Sequence, residues 1–142
     1  MAKIGLMMTN GLLPYPRQVG WQTGSLVLSG GQFVVNYLAA RSERLESAVD
    51  RIEKQIWRCA TTISDGQPVT LEIHCGELGC EWPSLGADES YRLEVCDARV
   101  ALQAPCEWGI LHGLNTLLQL VTATGTLPSI LLEDTPRFPW RG

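Results

Sequence analysis

The clearest periodicity in the chain lies between Ser42 and Cys59. There Leu45, Ala48, Val49, Ile52, Ile56 and Cys59 recur at steps of three and four, which places them along one stripe of a helix with 3.6 residues per turn. Ser42 suits the N-cap, since its hydroxyl can accept a bond from a free backbone N–H. Glu43 and Glu46 sit near the positive end of that helix's dipole. A second helix is predicted from Pro105 to Val121, with proline at the first helical position, where its missing N–H costs nothing. Trp108, Leu111, Leu114, Leu118 and Val121 form its apolar stripe, widened by Ile110 and Leu117. Gly109 and Gly113 lie four apart on one face and let another backbone come close. That packing offsets the roughly 1 kcal/mol of helix propensity each glycine costs.

Period-two runs supply the strands. SLVLS, Ser25 to Ser29, alternates briefly before Gly30-Gly31 turns into QFVVNYL. VTLEIHC alternates as a half-buried strand should. SYRLEVC and RVALQ read as two strands joined at Asp97-Ala98, and PSILLED is a last strand after Gly125. The order β-β-α-β-β-β-α-β predicts an α+β domain, a largely antiparallel sheet with two α-helices packed on one face. The distance along the chain between Leu26 and Ile130 makes this a non-local fold around a single core.

Composition narrows the function. The 142 residues carry a net charge of -4 and no long basic run, which argues against nucleic acid as a partner. No apolar run approaches the length of a membrane span. The start MAKIGLMMTNGLLPYP has one Lys and no small-residue cleavage site, so a cytoplasmic location is expected. The five cysteines are read as small buried hydrophobes kept reduced. The sharper alternative is a metal site in HCGELGC, from His74, Cys75 and Cys80. Its C-x4-C spacing is wide and no second pair completes a tetrahedron. Neither metal nor cofactor is expected.

Candidate catalytic groups are sparse. There are two histidines, His74 and His112, and no neighbouring nucleophile and base. No G-x-S-x-G occurs, and Gly30-Gly31 does not match a phosphate loop. Asp88-Glu89 invites an acid–base reading, but a polar lead-in to the SYRLEVC strand is the simpler role. Trp57 and Trp108 belong to amphipathic helices, where packing is the default. Trp82, beside Pro83 in a loop, is the tryptophan best placed to meet a ligand.

The stretch DESYRLEV…VALQAP…WGILHGLNTLLQLV…LPSILLEDTPRFPWRG resembles the N-terminal region of glycoside hydrolase family 20, the β-N-acetylhexosaminidases. LLPYPRQV resembles the family's proline-punctuated start. GLNTLLQL resembles its helix, and DTPRFPWRG its junction into the catalytic barrel. The resemblance implies a non-catalytic N-terminal domain, residues 1–132, of a zincin-like type without H-E-x-x-H or metal. Residues 133–142 would then be the junction into a (β/α)8 barrel of ~250 residues. In the family that barrel removes terminal N-acetylhexosamines by substrate-assisted retention, outside the usual two-carboxylate scheme.

The acid and its orienting partner belong to the barrel, so this chain alone is expected to be inactive, with no catalytic residue. The resemblance assigns one substrate-binding residue, Arg141 of the W-R-G step, as a contact to hydroxyls of the terminal sugar in the full-length parent. A guanidinium fork can donate paired bonds to neighbouring hydroxyl oxygens. The implied partners are the parent's own barrel and, through it, N-acetylhexosamine-containing glycans. An apolar patch left uncovered would let the chain self-associate. The alternatives are an accessory domain of a related sugar hydrolase, O-GlcNAc-removing or α-glucuronidase in type, and a stand-alone carbohydrate or protein interaction module.

Overall fold

The computed structural model describes residues 18–28, 33–59, 68–77, 88–96, 99–122 and 125–135. Among the described residues, eight elements follow one another in the expected order. They are β1 (Gln18–Val27), β2 (Val34–Ala39), α1 (Glu43–Cys59), β3 (Thr70–Glu77), β4 (Tyr91–Cys96), β5 (Arg99–Cys106), α2 (Glu107–Leu120) and β6 (Thr126–Asp134). The six strands form one sheet in the order β1-β6-β4-β5-β3-β2.

The fold is α+β, as expected, but the sheet is mixed. β1–β6, β6–β4 and β4–β5 are antiparallel, whereas β5–β3 and β3–β2 are parallel. Parallel neighbours cannot be joined by a tight turn and need a crossover, usually a helix. α1 is that crossover between β2 and β3. β4 opposes both β5 and β6, so β5 and β6 point the same way, and α2 is the second crossover. The two helices pack against each other, and α2 lies over β5, β4 and β3. β1 and β2, adjacent in sequence, therefore end at opposite edges of the sheet.

Burial follows the strand period. Leu71, Ile73 and Cys75 of β3, Leu93 and Val95 of β4, and Val100, Leu102 and Ala104 of β5 all face the helices. From α1 they meet Leu45, Ala48, Val49, Ile52 and Ile56, the residues of the predicted stripe; the side chain of Cys59 lies outside the described residues. The β4–β5 register, with Cys96 opposite Arg99, agrees with a two-residue connection at Asp97-Ala98.

Two boundaries differ from expectation. β1 begins seven residues before SLVLS, at Gln18, and is kinked by a register shift between Trp21 and Ser25. Gly24 sits inside that irregularity at φ +103°, a conformation that residues with a Cβ rarely adopt. At the other boundary, Pro105 does not open α2. It belongs to β5, and the helix starts at Glu107. The Pro105 carbonyl runs against β3: a Cβ on Gly76 would lie 2.8 Å from that oxygen.

The inward face of α2 is also turned relative to the predicted stripe. Gly109, Ile110, Gly113, Leu114, Leu117 and Leu120 are buried, while Trp108, Leu111 and Leu118 are only half-buried. The glycines cause this. A Cβ on Gly109 would stand 2.1 Å from the Ser90 carbonyl oxygen, and one on Gly113 would stand 2.3 Å from Leu102 Cδ1. The bare side of the helix sits on the sheet, as the four-residue glycine spacing implied.

Candidate functional site

The polar groups of the helical layer gather where the two helices begin. Ser42 caps α1, accepting a bond from the Leu45 N–H at 3.2 Å. Its hydroxyl proton goes to Glu107 Oε2 at 2.9 Å. Glu107, the first residue of α2, is buried, and its other oxygen is paired with the Arg44 guanidinium. Arg44 in turn lies over the Trp108 ring, 4.6 Å from its centroid. A carboxylate at this place is favoured twice over, by the N-terminal ends of two helices and by a cation.

The segment Asp88–Ser90 is fastened along the start of α2. Cys106 Sγ donates to the Asp88 carbonyl at 2.8 Å, Gly109 lies under the Ser90 carbonyl, and His112 Nε2 meets Glu89 Oε1 at 2.9 Å. The carboxylates of Asp88 and Glu89 point to different partners. Asp88 Oδ1 accepts from the Ser90 N–H at 3.0 Å and from its hydroxyl at 2.5 Å. Those two bonds hold the Asp88 carboxyl below its ordinary range. A carboxylate so stabilised is a weak base, so the pair locks a turn before β4 rather than activating Ser90. Glu89 is buried against His112. The polar lead-in to β4 is therefore what these residues form.

The remaining candidates are scattered. His74 and Cys75 are successive residues of β3 and project to opposite faces, His74 exposed and Cys75 buried. One metal ion cannot reach both from within the strand, and Cys80 lies outside the described residues. Burial, with the nearby Glu107 charge adding, pushes the Cys75 thiol up, and its S–H donates to the Glu77 carbonyl at 3.0 Å. Trp57 packs on Phe33 with ring centroids 5.7 Å apart, the packing role expected of it. Trp82, Trp140 and Arg141 lie outside the described residues.

Sequence reasoning found Ser42 as a cap but missed its partner Glu107, sixty-five positions away. A lone Glu after Pro-Cys carries no local signal of that contact. The same holds for Tyr91, whose hydroxyl meets Thr116 Oγ1 at 2.6 Å beneath α2.

The family described as beta-acetyl hexosaminidase like matches this chain over residues 12–120. Mouse beta-hexosaminidase subunit beta is 41% identical over 78 residues, which are 52% of this chain and 14% of that protein. Among solved structures, the chitobiase of Flavobacterium johnsoniae superposes with a TM-score of 0.78 at 30% identity. That match covers 93% of this chain and 22% of that one. The N-acetyl-beta-hexosaminidase of Streptomyces plicatus superposes with a TM-score of 0.67 at 25% identity, over 94% of this chain and 28% of its own. The chain thus spans between a seventh and a little over a quarter of these relatives. Matched family, shared fold and partial coverage agree: this chain belongs to the beta-acetyl hexosaminidase like family, as an N-terminal accessory domain of glycoside hydrolase family 20.

Proposed function

We propose that the protein carrying this domain hydrolyses terminal N-acetylhexosamine residues of glycans by substrate-assisted retention, on a (β/α)8 barrel joined to the domain through residues 133–142. The observation that carries this reading is the match of nearly the whole chain to about a fifth of a chitobiase. The rest of such a protein has room for a barrel of ~250 residues. In this reaction the substrate's own acetamido oxygen attacks the anomeric carbon, a barrel Asp orients that group, and a barrel Glu protonates the leaving oxygen. It is one of the exceptions to the two-carboxylate scheme.

In this reading residues 1–132 are scaffold and Arg141 is the domain's one contribution to the sugar site. β6 ends at Asp134, and in this reading DTPRFPWRG is the junction into the barrel. The Arg141 fork donates to adjacent hydroxyls of the terminal sugar, a geometry an ammonium could not reproduce.

The test compares this chain with the longer polypeptide encoded in the source, using 4-nitrophenyl N-acetyl-β-glucosaminide. The longer protein is expected to release nitrophenol and the 142-residue chain is not. Arg141→Lys in the longer protein should lower kcat/KM by roughly 100-fold, about two lost charge-assisted bonds, with the thermal midpoint unchanged. A native protein no larger than this chain, or a larger one inert towards N-acetylhexosaminides, overturns the reading.

A further inference from the structure

The sheet face away from the helices carries a row of polar side chains in register across five strands. His74 of β3 stands opposite Gln103 of β5, Gln103 opposite Arg92 of β4, Arg92 opposite Glu133 of β6, and Glu133 opposite Gln18 of β1. All five are exposed. The row crosses the strands at right angles, with a step of about 4.8 Å set by the strand spacing. It lies along a concavity of about 480 Å³, lined by His74, Gln103, Arg92 and Glu133, with Pro105 at its side.

The neighbouring charged groups on this face are already engaged. Arg99 reaches both Glu72, at 3.3 Å, and Glu94, at 3.2 Å. In the row, by contrast, Arg92 and Glu133 touch only at 3.9 Å and are half exposed. His74 and Gln103 have no hydrogen-bond partner among the described residues. The row thus offers, in sequence, a group that can donate or accept, an amide that does both, a donor-only guanidinium and an acceptor-only carboxylate.

We propose that this row is a binding site for a neutral oligosaccharide lying across the strands, separate from the barrel's sugar site and independent of the hydrolase reading. Hydroxyl groups both donate and accept, so they match a row of mixed character. A step near the length of one pyranose ring lets successive sugars meet successive strands, and the exposed Pro105 ring supplies an apolar patch for sugar C–H groups. An anion is disfavoured because Glu133 sits beside Arg92 and cancels its charge. A peptide adding as a strand would lie along a sheet edge, whereas this row runs across the strands.

The experiment is an amide NMR titration of the chain with N,N′,N″-triacetylchitotriose, with maltotriose and inorganic phosphate as separate arms. Saturable shifts are expected at His74, Arg92, Gln103 and Glu133 with at least one trisaccharide and none with phosphate. The ratio of the two trisaccharide affinities reads whether the acetamido group contributes. Gln103→Ala and, independently, Arg92→Ala should each weaken binding by about tenfold, the weight of one or two polar contacts, with thermal midpoints recorded to show that the variants are folded. The proposal is overturned if neither trisaccharide shifts these amides at concentrations on the order of 10 mM. Shifts with phosphate equal to those with sugar, or affinity undiminished in both variants, overturn it as well.

Discussion

Ser42 Oγ donates to Glu107 Oε2 across 2.9 Å, binding the cap of one helix to the first residue of the next. Glu107 is buried with two partners, so removing it takes the acceptor from the Ser42 hydroxyl and one partner from Arg44. Glu107→Ala is expected to lower unfolding free energy by about 3 kcal/mol, and Ser42→Ala by about 1 kcal/mol. The double variant should cost less than the sum by at least about 0.5 kcal/mol, because the two share one bond. Urea unfolding of all four proteins checks this, and strict additivity would show that the bond contributes nothing.

Gly109 and Gly113 separate under the same substitution. A methyl at Gly109 meets backbone, the Ser90 carbonyl, whereas one at Gly113 meets the movable end of Leu102. Gly109→Ala should destabilise by about 3 kcal/mol or prevent folding, since overpacking outweighs the ~1 kcal/mol gained in helix propensity. Gly113→Ala should cost distinctly less. Thermal midpoints of the two variants, ranked the other way, would refute the close approach of α2 to Ser90.

Ala39 takes φ +86° at the end of β2, where the chain turns towards α1. A Cβ in this left-handed region is unfavourable by roughly 1–2 kcal/mol. Ala39→Gly relieves it while giving back part of the gain in unfolded-chain entropy. The expected result is a protein more stable by about 0.5–1 kcal/mol, read as a higher urea midpoint at constant slope.

Cys75 links stability to alkaline pH. Burial, with the Glu107 charge adding, raises its folded value above the ordinary 9.0. The native state therefore holds this proton more tightly than the unfolded chain does. The resulting stability is fully present below pH 9 and is lost as pH rises through the folded value. Cys75→Val should flatten the fall in urea midpoint as pH rises above 9.0, and an equally steep fall in the variant would assign the effect elsewhere.

Local periodicity carried the helices and strands well, because each buried face repeats at its own step. α1 is the plainest case, with Leu45, Val49, Ile52 and Ile56 all buried and Ser42 capping. The reading of α2 erred in rotation, since bulk was taken to mark the inward side, while Gly109 and Gly113 let that side sit closer to the sheet. Pairing direction was only partly legible. The β4–β5 hairpin shows in its short connection, but the parallel partnership of β3 with β5 depends on where two crossovers lay their strands. Contacts such as Ser42–Glu107 and Glu89–His112 join distant positions and leave no trace in either residue's neighbourhood. At the site, the polar lead-in of Asp88-Glu89 to β4 was legible, whereas the turn that Asp88 makes with Ser90 emerged only in the structure. The outward row from His74 to Gln18 exists only once the registers of four pairings are fixed.

The β1–β6 pairing sets Trp21 against Ile130 and Val19 against Leu132. A ribosome releases β1 long before β6, so the first strand has no neighbour until the last one emerges. Four strands and both helices can gather in the meantime, yet β4 keeps an open edge throughout. Closure of the sheet is thus deferred to the end of this domain's synthesis. Any stall upstream of Thr126 leaves two unpaired edges, β1 and β4, of the kind that drives chains to associate with one another.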